Sequence, residues 1–218
     1  MQMAEVGVED VMAVLREAAA RLTEATEELG RLDGAIGDGD HGTTMARGFA
    51  AILRALNEVD PAATDLTALF ALCAGSFLDA VGATAGPLYA SGLLRAGAWA
   101  EGRKSLPAAE APMLLVALAE GIGQRGKAAA GDKTMMDVWL PVAQAARTEQ
   151  ARGTPLAATL ADLKEIAAQS AEATRSMTAS RGRAARLGAR SLGHVDPGAA
   201  SAAILVAAFA DVLALRAG

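Results

Sequence analysis

Apolar side chains recur at helical spacing almost from the start of the chain. Val11, Met12, Leu15, Leu22 and Leu29 fall along one face of a helix that begins near Val8 and stops at Gly30. The same spacing predicts further helices over 43–57, 66–81, 86–101, 108–124, 134–150, 156–177 and 197–216. Pro61, Pro107 and Pro155 stand at or near the breaks, as suits a residue with no amide hydrogen to give to a helix. Pro141 falls inside the sixth stretch, where a kink or a restart is expected. The last helix has Asp196 as its N-cap and Pro197 at its first position.

Alternating runs of Val, Ile, Thr and aromatic residues are missing, so no strands are expected. Eight helices on short loops imply antiparallel neighbours, which predicts an all-α fold, an up-and-down bundle or barrel. A chain of 218 residues fits a single domain, 1–218. In such an array every second loop lies at the same end. Loops 30–42, 82–87, 126–133 and 178–198 would therefore share one rim, and these are the loops with unusual residues.

Composition sharpens the picture. Hydrophobic residues make up 52% of the chain and aromatics only 3%, so small aliphatic side chains must fill the core between closely spaced helices. The single cysteine, Cys73, has no internal disulfide partner, which suits a reducing compartment and a packing role. Glu5, Glu9 and Asp10 stand where a signal peptide would be basic, and the apolar run 202–210 is too short to span a bilayer. A soluble cytoplasmic protein without a membrane anchor is the expectation. The net charge of −5 opposes general nucleic-acid binding, although Arg175, Arg181, Arg183, Arg186 and Arg190 form a local basic stretch. An RNA-binding role would also want aromatic residues interleaved for base stacking, and the stretch has none.

The densest chemistry lies in Asp33-Gly34-Ala35-Ile36-Gly37-Asp38-Gly39-Asp40-His41-Gly42. Carboxylates so close repel one another unless a cation offsets them, and hard oxygen donors favour Mg²⁺ or Ca²⁺. A solvated turn is the plain alternative. An EF-hand beginning at Asp38 would need Gly and Glu where Thr43 and Phe49 stand. A phosphoaspartyl nucleophile would sit at the end of a buried apolar strand, which residues 31–37 do not resemble. The segment 121–128 is reminiscent of a P-loop, but Ala128 replaces the metal-binding hydroxyl and no strand precedes it. Residues 82–87 and 126–134 each lead into a helix whose free amides could receive an anion. Arg183 offers a planar donor fork for phosphate, and Asp132 reads either as an N-cap or as a functional carboxylate. His41 could meet a ligand, and His194 could orient the Asp196-Pro197-Gly198 turn.

In chain order, these segments form a recognisable set. Leu32-Asp33, Gly37-Asp38-Gly39-Asp40-His41-Gly42, Gly86-Pro87-Leu88-Tyr89, Arg125-Gly126-Lys127, Gly131-Asp132-Lys133-Thr134-Met135, Gly182-Arg183-Ala184 and Gly193-His194-Val195-Asp196-Pro197-Gly198-Ala199 resemble the L subunit, or nucleotide-binding domain, of dihydroxyacetone kinases. The resemblance covers nearly the whole chain. It implies an eight-helix antiparallel barrel with ADP or ATP bound at one rim through Mg²⁺, with two ions. By matched position, Asp33, Asp38 and Asp40 would ligate magnesium, while His41, Gly42, Thr43, Thr44, Thr84, Ala85, Gly126, Met135, Arg183, Asp196, Pro197 and Gly198 would line the nucleotide site. Met135 would offer a soft apolar surface to adenine.

The implied activity is phosphoryl transfer to dihydroxyacetone held by a separate K subunit. ADP would stay bound as a coenzyme and be rephosphorylated by a phosphotransferase-system protein. A nucleotide-sensing regulator of the same fold, or a kinase subunit for another short sugar, are the alternatives, and no general base is assigned to this chain. Two departures from the family pattern stand out. Ala83 and Ala85 replace residues of Gly-Gly-x-Ser-Gly-Pro, removing a phosphate-facing hydroxyl, and Thr44 stands where Asn is common.

Overall fold

The structure is a computed structural model that describes residues 5–82 and 84–217; Ala83 lies outside the described residues. Its helices are α1 (Val8–Glu24), α2 (Thr26–Ile36), α3 (His41–Leu56), α4 (Leu66–Ala80), α5 (Ala85–Trp99), α6 (Met113–Gly126), α7 (Met136–Arg152), α8 (Leu156–Ala173) and α9 (Pro197–Ala217). From α3 onward each helix packs on the next, and α1 closes the ring by packing on both α3 and α9. The result is the expected closed eight-helix barrel, with α2 added at one end against α3 and α9.

Side-chain caps set several of the boundaries. The Asp65 carboxylate accepts the Ala68 amide at 2.7 Å ahead of α4, and Asp196 accepts the Ala199 amide at 2.7 Å ahead of α9. Gly153, at φ 67°, ends α7 in the left-handed conformation that a side chain would resist. Between α5 and α6, the hydrogens of Gly92 and Gly121 face the opposing helix so closely that a methyl group at either would meet its neighbours. The barrel centre carries its few large rings together. Phe77 packs edge-on against Phe49 and Tyr89, with centroids 5.7 and 5.6 Å apart.

Four expectations need correcting. The first helix does not end at Gly30: it breaks at Ala25 and resumes as α2, so residues 30–36 are helical. Leu29 and Ile36, both buried, share one face of α2, and packing outweighs the helix-breaking tendency of Gly30 and Gly34. Pro141 neither restarts nor divides α7. Among the described residues there are two short strands, β1 (Glu5–Gly7) and β2 (Ser105–Pro107), paired antiparallel with Val6 opposite Leu106. Both of those side chains are fully buried and plug one end of the barrel. Finally, α9 is more apolar than its central run suggests. Residues Pro197–Leu215 are long and apolar enough to cross a membrane by length and composition, yet 56% of that window is buried inside the barrel.

Loops alternate between the two ends. At the β1–β2 end, the 57–65 and 100–105 connections meet, with the Leu66 amide bonded to Arg103 O at 2.9 Å and Lys104 Nζ to Ala62 O at 2.7 Å. The other end gathers the connections before α3, α5, α7 and α9.

Candidate functional site

A cavity of about 720 Å³ opens at that second end, lined by residues from all four connections. The topology makes this rim electrostatically distinctive. α3, α5, α7 and α9 all begin here, so four positive dipole ends face one space. Arg47, Arg125, Arg181 and Arg183 line it as well. The arrangement suits a polyanion.

Three carboxylates interrupt this positive field. Asp33 sits in the last turn of α2, where its carbonyl accepts the Gly37 amide at 2.5 Å. Gly39, at φ 79°, turns the chain so that Asp38 and Asp40 come back toward Asp33. The His41 amide, at the start of α3, donates to Asp33 Oδ2 at 3.2 Å. One oxygen from each of Asp33, Asp38 and Asp40 can be chosen so that all lie within 4.8 Å of one another. Arg183 forms an ion pair with Asp38 and lies 3.8 Å from Asp40. A set of hard carboxylate donors without nitrogen or sulfur fits Mg²⁺, and water and phosphate oxygens would complete its shell.

His41 lines the cavity with its ring anchored from behind. Its Nε2 lies 2.9 Å from Ser201 Oγ, and the Ser201 hydroxyl donates to Gly198 O at 3.0 Å. With the hydroxyl hydrogen committed to Gly198, Nε2 is the donor and Nδ1 keeps a lone pair. Burial holds the His41 pKa below its usual value against the opposing pull of Asp33 and Asp40. Asp196 is buried deeper still. Desolvation pushes its carboxyl up to about 7, and the Ala199 amide counteracts part of that shift.

The cavity lining brings together Asp33, Asp38, Asp40, His41, Thr44, Thr84, Ala85, Gly126, Met135, Arg183, Asp196, Pro197 and Gly198. Gly42 and Thr43 stand outside it. Gly42 is buried, and a methyl group there would strike the Thr26 carbonyl, so its small size serves the contact of α3 with α2. Thr43 is exposed and turns its hydroxyl back to Asp40 O at 2.9 Å. Ala85, the first residue of α5, has no hydroxyl but brings a helix N-terminus to the cavity.

Several residues outside the expected nucleotide and metal set prove central. Asp132 does not cap α7. Its carboxylate accepts the Ala129 amide at 2.8 Å, the Ser180 hydroxyl at 2.5 Å and Arg181 Nε at 3.2 Å, tying loop 127–135 to segment 174–196. Those bonds hold it below the usual carboxylate range, the Ser180 hydroxyl most of all. The capping carboxylate is Asp137, which accepts the Thr134 amide at 2.7 Å and the Gly131 amide at 2.5 Å. Thr134-x-x-Asp137 is a capping-box pattern visible in the sequence. The fully buried Lys133 holds the same segment through its ammonium group. His194 contributes its backbone carbonyl to that ammonium.

Residues 35–211 match the DAK2 domain. The chain is 40% identical to a Listeria innocua protein named the ADP-binding subunit DhaL of PEP-dependent dihydroxyacetone kinase 1, over 88% of this chain and 89% of that one. It is 38% identical to the Escherichia coli K12 protein named the ADP-binding subunit DhaL of PEP-dependent dihydroxyacetone kinase, over 81% and 83% of the two chains. Its fold is similar to the crystal structure of the C. freundii dihydroxyacetone kinase in complex with AMP-PNP and Mg²⁺, with a TM-score of 0.69 and 25% identity. That match covers 97% of this chain and 35% of the other, so this chain spans about a third of that structure.

Proposed function

The chain belongs to the DAK2 domain family, and from that premise we propose that it is the nucleotide-holding subunit of a dihydroxyacetone kinase. The observation that carries the reading is the meeting of Asp33, Asp38 and Asp40 with four helix N-termini in one cavity. The carboxylates call for a cation and the helix ends for an anion, and a magnesium–nucleotide complex supplies both.

Asp33, Asp38 and Asp40 would hold Mg²⁺, and we take two ions from the resemblance to dihydroxyacetone kinases. Bound there, magnesium would neutralise phosphate oxygens and favour charge separation during phosphoryl transfer. The amides opening α5 would receive phosphate oxygens beside the positive dipole ends of α7 and α9, with Thr84, Ala85, Gly126 and Gly198 lining that approach. Met135 would flank the adenine, and Pro197 would fix the turn between Asp196 and α9. His41, with Nε2 tied to Ser201, would present Nδ1 to the nucleotide. Arg183 would exchange its present carboxylate partners for phosphate as negative charge moves toward the acceptor. In this reading His41, Thr43 and Thr44 belong to the site through the first turn of α3, and Gly42 through the packing that fixes that turn.

The acceptor is dihydroxyacetone bound by a separate K subunit, since the rim residues are accounted for by nucleotide and metal. ADP stays bound and is rephosphorylated by a phosphotransferase-system protein in this reading, which the PEP-dependent, ADP-binding kinase subunits among the bacterial relatives support. Residues 1–218 act as one domain, supported by a core to which every α-helix contributes. We place the protein in the cytoplasm, supported by the packing of α9 in the barrel and by the buried free thiol Cys73.

The test is reconstitution. The purified chain should carry or bind ADP in a Mg²⁺-dependent way and phosphorylate dihydroxyacetone only with a K-type partner and a phosphoryl donor protein. Turnover by the chain alone, or ADP affinity indifferent to Mg²⁺, would refute the assignment.

A further inference from the structure

We propose that Lys133 is a positioning residue whose ammonium acts as a built-in cation, shaping segment 174–196 so that Arg183 and Asp196 face the nucleotide. The inference rests on the nucleotide reading above and adds a residue to it.

The segment has little regular structure. Its backbone makes 3-10 turns at Thr174–Ser176 and Ala184–Ser191, the latter kinked at Gly188 with φ 53°. Four of its carbonyls converge on one point. Lys133 Nζ lies 2.8 Å from Thr174 O, 3.1 Å from Met177 O, 2.7 Å from Ser191 O and 2.6 Å from His194 O. Two of these oxygens come from the start of the segment and two from its end, so a single charge draws both ends together. An ammonium has three hydrogens for these four oxygens, which marks a cage built around a cation more than a set of paired hydrogen bonds.

Lys133 is 1% exposed and adopts a left-handed φ of 58° to reach inward. It leaves the chain between Asp132 and Thr134, two residues before Met135. Its reach therefore couples the loop that would hold adenine to the segment that carries Arg183. Without the charge, four carbonyl dipoles would face one another in a space closed to water.

The experiment uses the whole chain as Lys133→Met, which keeps volume but loses charge, and as Lys133→Ala, which lacks a fragment the size of propylammonium. Mn²⁺ binding without nucleotide reports the carboxylates, calorimetry with ADP in Mg²⁺ reports the nucleotide site, and circular dichroism reports the barrel. The expected result is intact helical signal and Mn²⁺ affinity, with ADP affinity reduced by about 10- to 100-fold, the range for losing a supporting partner. Propylammonium, but not propanol, should restore ADP binding to Lys133→Ala. Hydrogen exchange within 174–196 should quicken in both variants. ADP affinity equal to that of the unaltered chain would overturn the inference. So would a joint loss of Mn²⁺ binding, ADP binding and helical signal, which would make Lys133 a folding residue only. Failure of the nucleotide reading is distinguishable, because it would show on the unaltered chain as absence of Mg²⁺-dependent ADP binding.

Discussion

Replacing Asp38 and Asp40 together by asparagine separates charge from shape at the carboxylate cluster. With ligand oxygens within 4.8 Å of one another, each like-charged pair repels by about 0.9 kcal/mol in bulk water, or about 3.5 kcal/mol at an effective dielectric constant of about 20. The Asp38 and Asp40 side chains are 47% and 59% exposed, so the lower figure is the better guide. Arg183 already offsets part of it. The ligand-free double variant should therefore melt at or slightly above the temperature of the unaltered chain. With ligand the order reverses. Mg²⁺ and ADP at about a hundred times the dissociation constant should add about 2.7 kcal/mol, which at about 2–4 °C per kcal/mol for a domain of this size is about 5–11 °C. The variant should gain almost none of this. Calorimetric melts of both proteins with no ligand, Mg²⁺, ADP, and the two together would read the effect. Only the combination should shift the unaltered chain substantially, because carboxylates and diphosphate each need the metal as counter-charge. An undiminished Mg²⁺–ADP shift in the double variant would refute the metal site and the function built on it.

Other outcomes follow from single positions. Gly42→Ala should cost about 1–3 kcal/mol through overpacking against the Thr26 backbone, and an unchanged melting temperature would show that α2 and α3 can separate. Cys73 is buried with its thiol pushed up to about 12 by desolvation, so it should resist a thiol reagent at pH 8 in the native protein and react fully when denatured; rapid native reaction would contradict this. Asp196, pushed up to about 7 from the usual aspartate value of 3.8, binds more protons folded than unfolded between about pH 4 and pH 7. The stability it gives is complete below the unfolded value and is lost as pH rises through the folded one. Asp196→Asn should flatten that decline in the nucleotide-free protein, and an identical pH profile would refute the shift.

Much of the site was legible because its chemistry is local in the chain. Asp33, Asp38 and Asp40 lie within eight residues, and glycines between carboxylates announce a turn that brings them together. The rim could be inferred from counting helices, since alternating loops in an up-and-down array must share an end. The exact extent of α2 was not legible, because Gly30 and Gly34 have low helix propensity and only contact with α3 and α9 overrides it. Nor was the buried charge of Lys133. Its oxygen partners are 41 to 61 residues away in sequence and are all backbone carbonyls, which carry no residue-specific signal.

Local order along the chain sets the helical period, the barrel that short connections impose, and the donor set of the carboxylate turn. Each depends on neighbours within a few residues, where spacing translates directly into geometry. Tertiary structure alone decided that β1 and β2 plug the far end, that Gly42 serves packing, and that Ser201 on α9 orients the His41 ring on α3. It also decided that Arg183 meets Asp38 and that Lys133 gathers segment 174–196. These are meetings of groups separated along the chain, brought into contact only by the packing of the barrel.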